Sequence, residues 1–425
     1  MGGMIDIAWL REHPDTLRVA LARRGLEMDL DGLIRLDVER RQVRVEAERA
    51  RAEQKRLGLR IRELAGDEKA SAVAEASDLA ARYREGVAEA DRLDRRFSVL
   101  WAQVPNLADP SSADGLTEED GVEIRRWGEV RDFGFPVQDH RRLGSDLGMI
   151  DIERAAKVSG SRFGYLMGPA VRLEFALVGM VFDRLEGYGF TPFVPPVLVR
   201  EEALYGTGFF PDDSGQVYEI PHDGLYLVGT SEVSLAAYHS NEVLDEDRLP
   251  LRYAGFSTCF RREAGAHGKD TAGIFRVHQF DKVEMFAFCH PEQSQAEHER
   301  LLAIEEEIVQ SLEIPYRVVN IAAGDLGASA AKKYDIEAWI PSQGRYREIT
   351  SCSNTTDFQS RRLRIRYRTA QGNRLVHTLN GTAAAIGRLL IALMENHQQS
   401  DGSVLVPAAL QSHTGFDRIR PPDKA

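Results

Sequence analysis

The sequence is poor in cysteine and has no long apolar run. Its three cysteines, Cys259, Cys289 and Cys352, are scattered over 425 residues. There is no C-x-x-C pair and no histidine at ligand spacing, so neither disulfides nor structural zinc is expected. No stretch of about 18 apolar residues could span a bilayer. The N-terminus MGGMIDIAWLREHPD lacks the charged start and apolar stretch of a signal peptide. We therefore expect a cytoplasmic protein with no membrane segment.

The familiar nucleotide-binding loops are also absent. No G-x-G-x-x-G follows a strand-like segment, and GAHGKD is not a P-loop because Glu263 stands where the first glycine should be. The histidines form no triad that spacing would reveal, and the cysteines are typical of small core residues. A nucleotide site in this chain would have to be of another kind.

The acidic charge of the chain is unevenly distributed. The formal net charge is -12, with 43% hydrophobic and 28% charged residues. A chain of this length and composition predicts two or three globular domains, and its charge argues against general coating of nucleic acid. Residues 35–62, however, hold ten basic residues against five acidic ones. One segment could therefore meet a polyanion while the rest does not.

A heptad pattern marks two long helices near the N-terminus. The first seam is Leu33, Leu36, Val43, Ala47, Ala50, Leu57, Ile61 and Leu64, with Arg40 and Gln54 in its remaining positions; the second is Val73, Ala76, Ala80, Tyr83, Val87, Ala90, Leu93, Phe97 and Leu100. Gly66 and Asp67 separate the two seams. This pattern predicts an antiparallel coiled-coil hairpin at about 30–101, with each helix some 45 Å long. Such hairpins are commonly spacers or dimerisation arms, and nucleic-acid binding is the alternative.

A segment rich in proline, serine, glycine and acids follows the hairpin. It predicts an N-terminal domain at 1–110, a linker at 111–125 and a second domain at 126–425. Helical spacing occurs at 171–185 and 382–397, and strands are expected at 190–194, 226–228, 251–260, 275–289 and 346–350. Hairpin strands with helices set apart favour an α+β fold on an antiparallel sheet.

The most informative segment is FSTCFRREAGAHGKDTAGIFRVHQFDKVEMFAFC at 256–289. Period-two spacing would place Arg261 and Glu263 on one face of the first strand. The same spacing would align His278, Phe280, Lys282 and Glu284 on the second strand. An aromatic ring among charges favours a surface that holds a ligand with both a ring and phosphates, and a solvated hairpin with one stray Phe is the alternative.

Four further clusters bear on such a site. G229-T230-S231-E232 follows a predicted strand and offers a hydroxyl and a carboxylate. E348-I349-T350-S351-C352-S353-N354 offers oxygen ligands of the kind that Mg²⁺ prefers. N380-G381-T382 is expected to open a helix, with Arg388 just beyond it, and GYGFTPFVPP is expected to be a strand closed by two prolines. Each cluster alone is compatible with an ordinary turn or a surface charge.

Together these motifs resemble the seryl-tRNA synthetases of bacterial type, which are class II aminoacyl-tRNA synthetases. The resemblance covers essentially the whole chain and is most specific in CFRREAGAHGKDTAGIFRVHQFDKVEMF, YREITSCSN and LNGTAAAIGRLLIALMENHQ. GYGFTPFVPPVLV is similar to the first motif of the class, which forms the dimer interface. The resemblance implies an N-terminal two-helix coiled coil followed by a class II catalytic domain on an antiparallel β-sheet flanked by helices.

The resemblance also implies a role for individual residues. Arg261, Glu348 and Arg388 would be catalytic; ATP would be bound by Arg261, Arg262, Glu263, Val277, Phe280, Glu348, Ile349, Thr350, Ser351 and Arg388. Phe280 and Arg388 would clamp the adenine, and Glu348 and Ser351 would hold Mg²⁺. Serine would be bound by Thr230, Ser231, Glu232, Arg261, Glu284, Asn380 and Thr382, and tRNA by Arg40, Arg41, Arg44, Arg51, Lys55 and Arg56.

The implied reaction is ATP-dependent activation of L-serine to seryl-adenylate, followed by transfer to tRNA(Ser), with tRNA(Sec) as a further expected acceptor. The loop Ala264–Gly273 would meet the acceptor end, and the enzyme would be a homodimer. Thr382, where Ser is frequent in the family, and the Ala-rich helix start leave room for a paralogue serving antibiotic biosynthesis or self-resistance. An amino-acid:carrier-protein ligase and a non-catalytic coiled-coil scaffold are further alternatives, disfavoured by the helical arm and by the presence of Arg261, Glu348 and Arg388.

Overall fold

The computed structural model describes residues 7–211, 213–264 and 272–422. They form two compact units. The N-terminal unit comprises residues 7–22 and 26–105, and the C-terminal unit comprises Arg23–Gly25 and everything described from Asn106 onward. Among the described residues no helix is both long enough and apolar enough to cross a membrane.

The N-terminal unit is helical. Its helices are α1 (Ile7–Glu12), α2 (Pro14–Arg23), α3 (Leu30–Arg60) and α4 (Gly66–Trp101). The side chain of Asp29 caps α3 by accepting a hydrogen bond from the Gly32 amide at 2.7 Å. Helices α3 and α4 pack along each other and are joined by a five-residue connection, so they form the predicted hairpin.

The predicted seam is only partly correct. Leu33, Leu36, Ala47 and Ala50 are buried in α3, and Ala90, Leu93 and Phe97 in α4. Towards the tip, however, Ala72 and Leu79 are buried, whereas the predicted Val73 is 50% exposed. The contact face of α4 is therefore shifted by one residue there. A seam of small residues specifies the helix phase weakly because each contributes little apolar area.

The C-terminal unit is built on one large sheet. Its eight strands run in the order β1-β11-β12-β13-β16-β10-β9-β4, and every neighbouring pair is antiparallel except β4 with β9. The strands of the chain are β1 (Val122–Trp127), β2 (Ile150–Asp151), β3 (Tyr165–Leu166), β4 (Thr191–Phe193), β5 (Leu198–Val199), β6 (Tyr218–Ile220), β7 (Leu225–Leu227), β8 (Val243–Asp245), β9 (Leu251–Phe260), β10 (Gln279–Cys289), β11 (Tyr316–Asn320), β12 (Lys332–Ile340), β13 (Arg345–Thr356), β14 (Arg366–Thr369), β15 (Gly372–Leu375), β16 (His377–Ala385), β17 (Val404–Leu405) and β18 (Arg418–Ile419).

Helices flank this sheet. They are α5 (His140–Asp146), α6 (Ile152–Ser159), α7 (Pro169–Gly187), α8 (Glu201–Thr207), α9 (Glu232–Ala237), α10 (Ser294–Ser311), α11 (Phe358–Leu363), α12 (Ile386–His397) and α13 (Ala408–Thr414). The main core lies between the central strands and α7, α10 and α12, whose apolar faces are buried. The expected α+β architecture is therefore confirmed.

Three local predictions are wrong. Strand β9 ends at Phe260 and β10 begins at Gln279, so Arg261, Glu263 and His278 lie outside the strands; Glu263 has a positive φ of 49°. Thr382 lies on strand β16, and the helix that it was expected to open begins at Ile386. The end of the predicted linker is already strand β1, paired with β11, because edge-strand pairing overrides its polar composition.

Candidate active site

A polar cavity of about 410 Å³ opens over the middle of the large sheet. Fourteen of the residues predicted for ATP or serine binding line it: Thr230, Glu232, Arg261, Glu263, Val277, Phe280, Glu284, Glu348, Ile349, Thr350, Ser351, Asn380, Thr382 and Arg388. They come from β10, β13, β16, α9 and α12, from the connection between β9 and β10, and from the connection between β7 and α9. The site is therefore assembled from segments that are distant in sequence.

The alternating residues of β10 form part of the cavity wall. Phe280, Lys282 and Glu284 are two apart and line the cavity, as the period-two pattern predicted. The guanidinium of Arg261 lies over the Phe280 ring, 5.4 Å from its centroid, and its Nε donates to the carbonyl oxygen of Gly229 at 3.2 Å. The aromatic plate and the arginine therefore meet, although Arg261 follows the strand.

One end of the cavity is a buried hydrogen-bonded cluster. Thr382 Oγ1 donates to Glu284 Oε2 at 3.2 Å, and Lys282 forms an ion pair with Glu284. Gln359 Nε2 donates to Glu232 Oε1 at 2.7 Å. Burial, followed by the charge of Glu284, raises the pKa of Glu232 to about 7. This end is suited to a small polar ligand with a cationic group and a hydroxyl.

The opposite end is rich in cations around one carboxylate. Arg388 Nη1 lies 3.2 Å from Glu348 Oε2, and its guanidinium lies 5.0 Å from the ring centroid of Phe275. Burial alone would raise the pKa of Glu348, but the charges of Arg388 and Lys333 outweigh it and lower the pKa to about 2. Glu348 is therefore ionised at neutral pH among groups that would attract phosphate.

A β-bulge explains how Glu348 and Ser351 share the cavity. Residues three apart point to opposite faces of a regular strand. In β13, however, Thr350 pairs with Ile336 and Glu348 pairs with Glu337, so Ile349 is an extra residue. The bulge changes the face of the strand to which the following side chains point, so both Glu348 and Ser351 line the cavity.

Two of the predicted ligands do not line the cavity. The Ser231 hydroxyl is buried and donates to the carbonyl oxygen of Gly255 at 3.1 Å, so it holds the loop rather than facing a ligand. The Arg262 guanidinium lies 5.9 Å from the ring centroid of Tyr218. Part of the predicted acceptor-end loop, residues 265–271, lies outside the described residues.

The structure adds residues that sequence reasoning did not assign. Arg276 pairs with Glu263, and Lys333 Nζ lies 2.9 Å from Asp335 Oδ1; Arg276 and Lys333 both line the cavity. Lys282 was placed on the correct face but given no role. Its spacing of two residues from Phe280 and from Glu284 could have assigned Lys282 to the site, whereas no local pattern marks Arg276 or Lys333.

The basic residues of α3 differ in their availability. Arg40 contacts Asp37 and Asp94, and its guanidinium lies 4.4 Å from the ring centroid of Phe97. Arg44 pairs with Asp91 and Asp94. Arg41 pairs with Asp37 at 3.1 Å, and the Arg51 guanidinium lies 5.1 Å from the ring centroid of Tyr83. Lys55 and Arg56, nearer the tip, are exposed. The outer half of α3 therefore offers the more accessible positive charge.

Two family models and several known proteins match the chain. The model for the seryl-tRNA synthetase N-terminal domain matches residues 4–108, and the model for the class II tRNA synthetase core domain (G, H, P, S and T) matches residues 217–397. A serine–tRNA ligase of Streptomyces coelicolor is 52% identical, with 99% of each chain covered. That of Acidothermus cellulolyticus is also 52% identical, with 98% of this chain and 100% of that protein covered.

A solved structure shows the same architecture. The crystal structure of seryl-tRNA synthetase from Pyrococcus horikoshii complexed with ATP matches with a TM-score of 0.93 and 42% identity, covering 99% of this chain and 100% of that one. The comparisons support the main hypothesis of the sequence analysis and not the duplicate, carrier-protein ligase or scaffold alternatives.

Proposed function

The chain belongs to the seryl-tRNA synthetase family, and from this membership we propose that it activates L-serine with ATP and transfers the seryl group to tRNA(Ser). The observation that carries the proposal is the two-ended cavity. A buried Glu232–Glu284–Thr382 cluster lies at one end, and Arg388 with an ionised Glu348 lies at the other. Such a site can bring an amino acid and a triphosphate together.

We propose that the buried cluster binds serine. Glu232 and Glu284 would hold the ammonium group, and Thr382 with Glu284 would satisfy the hydroxyl. Alanine would leave these polar groups unpaired, which costs about 1–3 kcal/mol for each buried group. Threonine would have to fit its additional methyl group into a cavity wall made largely of buried residues.

The cationic end would hold the nucleotide. Arg261 and Arg388 would stabilise negative charge on the α-phosphate while the serine carboxylate attacks it and pyrophosphate leaves. Phe280 and Val277 would contact the adenine, with Arg388 on its other face, and Glu263 would accept from its amino group. The reaction needs no protein nucleophile, because positioning the two substrates supplies much of the rate.

The residues present fit Mg²⁺. Within the described ranges no cluster of three or more His, Cys, Asp or Glu side chains could hold a metal by itself. Mg²⁺, however, usually takes one or two protein oxygens together with substrate phosphates, and Glu348 and Ser351 line the same cavity. Bound there, the ion would neutralise phosphate charge.

The helical hairpin would bind tRNA through phosphate contacts, chiefly at the exposed Lys55 and Arg56. Arg40, Arg41, Arg44 and Arg51 pair with acids of the hairpin and would contribute less than Lys55 and Arg56. Use of tRNA(Sec) as a second acceptor and a cytoplasmic location remain predictions.

Homodimer formation is supported by exposed apolar side chains around the first class motif. Val194, just after β4, is 83% exposed, and Phe175 on α7 is 63% exposed. Exposed apolar side chains of this kind favour a protein interface, and a two-fold dimer would cover them in both subunits.

The decisive experiment is serine-dependent exchange between ATP and pyrophosphate, with alanine, threonine and cysteine as controls. We expect exchange with serine alone; its absence would refute the proposal. Replacement of Lys55 and Arg56 by alanine should leave exchange unchanged and lower tRNA charging, and Arg154→Ala, an exposed arginine of the C-terminal unit, is the matched control. Unaltered charging in the double variant would rule out the proposed role of the outer hairpin.

A further inference from the structure

The chain crosses between its two units near Arg24 and again at Asn106, and both residues are hydrogen-bonded to the same short segment of the C-terminal unit. Arg23–Gly25 pack within the C-terminal unit, although the residues on either side belong to the N-terminal unit. The chain returns to the C-terminal unit at Asn106. Arg24 Nη1 donates to the carbonyl oxygen of Asn106 at 2.6 Å. The segment Arg23–Gly25 and the segment that begins at Asn106 are therefore hydrogen-bonded to each other.

Arg24 is a buried cation surrounded by carbonyl oxygens. It is 6% exposed, and besides Asn106 it donates to the carbonyl oxygens of Leu326 at 2.6 Å, Gly327 at 2.9 Å and Ala330 at 3.2 Å. Burial lowers its pKa to about 10, which still leaves the guanidinium charged at neutral pH. Its planar array of donors suits several carbonyl oxygens at once.

Asn106 bonds the remaining carbonyl oxygens of the same segment. Its amide nitrogen donates to Ala328 at 2.8 Å, and its Nδ2 donates to Ser329 at 2.9 Å. We name residues Leu326–Ala330 the strap. All five carbonyl oxygens of the strap therefore accept a hydrogen bond from Arg24 or Asn106.

The strap is also a wall of the active-site cavity. Gly327, Ala328, Ser329 and Ala330 line it. Ser329 approaches Gly208, where an added Cβ would lie 3.2 Å from Ser329 Cβ. The adjacent Thr207 accepts at its carbonyl oxygen from Gln359 at 3.4 Å, and Gln359 bonds Glu232. The strap therefore adjoins the end of the cavity that is proposed to bind serine.

We propose that Arg24 and Asn106 are positioning residues of the serine site, and that through them tRNA held by the N-terminal unit changes the affinity of the site for serine. This inference rests on the proposed function. The physical basis is that, in the described part of the chain, the two segments at which it passes between the units are hydrogen-bonded to the strap. A shift of either segment would therefore alter the donors to a cavity wall. Coupling between two such sites commonly amounts to about fivefold or more in affinity.

The test measures serine-dependent ATP–pyrophosphate exchange with and without tRNA(Ser) whose terminal ribose has been oxidised, because this tRNA can bind but cannot accept the seryl group. In the wild type we expect the tRNA to change the KM for serine about fivefold. Arg24→Met should raise the KM for serine in the absence of tRNA and keep tRNA binding, yet lose the tRNA-dependent change in that KM. Arg23→Met is the matched control, since Arg23 bonds Asp109, Ser112 and Asp114 and not the strap. This variant should retain the tRNA-dependent change in the KM for serine.

Arg24→Lys, which keeps the charge but cannot reach all four carbonyl oxygens, provides a second variant should the Met variant unfold, as judged by its melting temperature. Hydrogen exchange of the strap amides in the wild type, with and without the oxidised tRNA, is an independent measurement. The inference would be overturned if the oxidised tRNA changed neither the KM for serine nor the hydrogen exchange of the strap amides in the wild type. It would also be overturned if the KM of an Arg24 variant responded to the tRNA as that of the wild type does. A wild type without serine-dependent exchange would instead contradict the proposed function.

Discussion

Thr382 Oγ1 donates to Glu284 Oε2 across two neighbouring strands, at 3.2 Å. The pair depends on a bulge: Val283 is opposite Ala384 and Glu284 is opposite Thr382, so Ala383 is an extra residue of β16. Lys282 Nζ lies 3.5 Å from the same hydroxyl. The threonine side chain is thus held between a carboxylate and an ammonium group before any ligand binds.

Replacing Thr382 by valine removes the hydroxyl and keeps the shape. A hydrogen bond to a charged group contributes about 1.5–3 kcal/mol, so the KM for serine should rise by roughly 10- to 100-fold. The KM for ATP should stay within about twofold, because the change lies at the serine end. Thr382→Ser is the control and should remain near wild type in ATP–pyrophosphate exchange. Equal losses for both substrates would indicate a general distortion of the site instead.

The raised pKa of Glu232 predicts a pH-dependent serine affinity. With a pKa of about 7 caused by burial and by Glu284, Glu232 is mostly protonated at pH 6 and mostly ionised at pH 8. Only the ionised form attracts an ammonium group, so the KM for serine should fall by about tenfold from pH 6 to pH 8. Glu232→Gln should raise the KM and flatten this profile. A Gln variant with the wild-type pH profile would assign the titration to another group.

The same raised pKa has the opposite effect on stability. Because the folded-state pKa lies above the ordinary value of 4.5, the contribution of Glu232 to stability is fully present below pH 4.5 and is lost as the pH rises through about 7. Ligand-free protein should therefore gain stability at pH 8 when Glu232 is replaced by Gln, relative to the wild type. Bound serine should reduce that difference.

The sequence predicted local features of the site better than its assembly. Phe280, Lys282 and Glu284 follow one strand, so period-two spacing placed them on one face correctly. Thr382 was assigned to a helix because its small neighbours resemble a helix start, whereas pairing of β16 with β10 and β13 holds it in a strand. No local spacing encodes which strands become neighbours. The prediction that Glu348 and Arg388 belong to the site therefore depended on the family resemblance, and Lys333 was not predicted.

Removing the charge of Glu348 should weaken the use of Mg²⁺. Glu348→Gln takes away the ionised carboxylate beside Arg388, so the Mg²⁺ concentration for half-maximal exchange should rise and kcat should fall by about 100-fold. Exchange is measured across a MgCl₂ titration at saturating serine. Glu307→Gln is the control, because it removes a carboxylate of α10 that pairs with Arg184 of α7. An unchanged Mg²⁺ midpoint would argue that other groups hold the ion.

Charged substitutions at the exposed apolar residues should break the proposed dimer. Val194→Asp and Phe175→Glu place a carboxylate where we expect apolar surfaces to meet, and burying an unpaired charge costs several kcal/mol. Sedimentation velocity should then show a monomer where the wild type sediments as a dimer. Val19→Asp is the matched control, because Val19 is 70% exposed on α2 of the N-terminal unit and should leave the dimer intact. Two variants that still sediment as dimers would place the interface elsewhere, since two buried carboxylates at a two-fold axis would repel each other as well as lose their hydration.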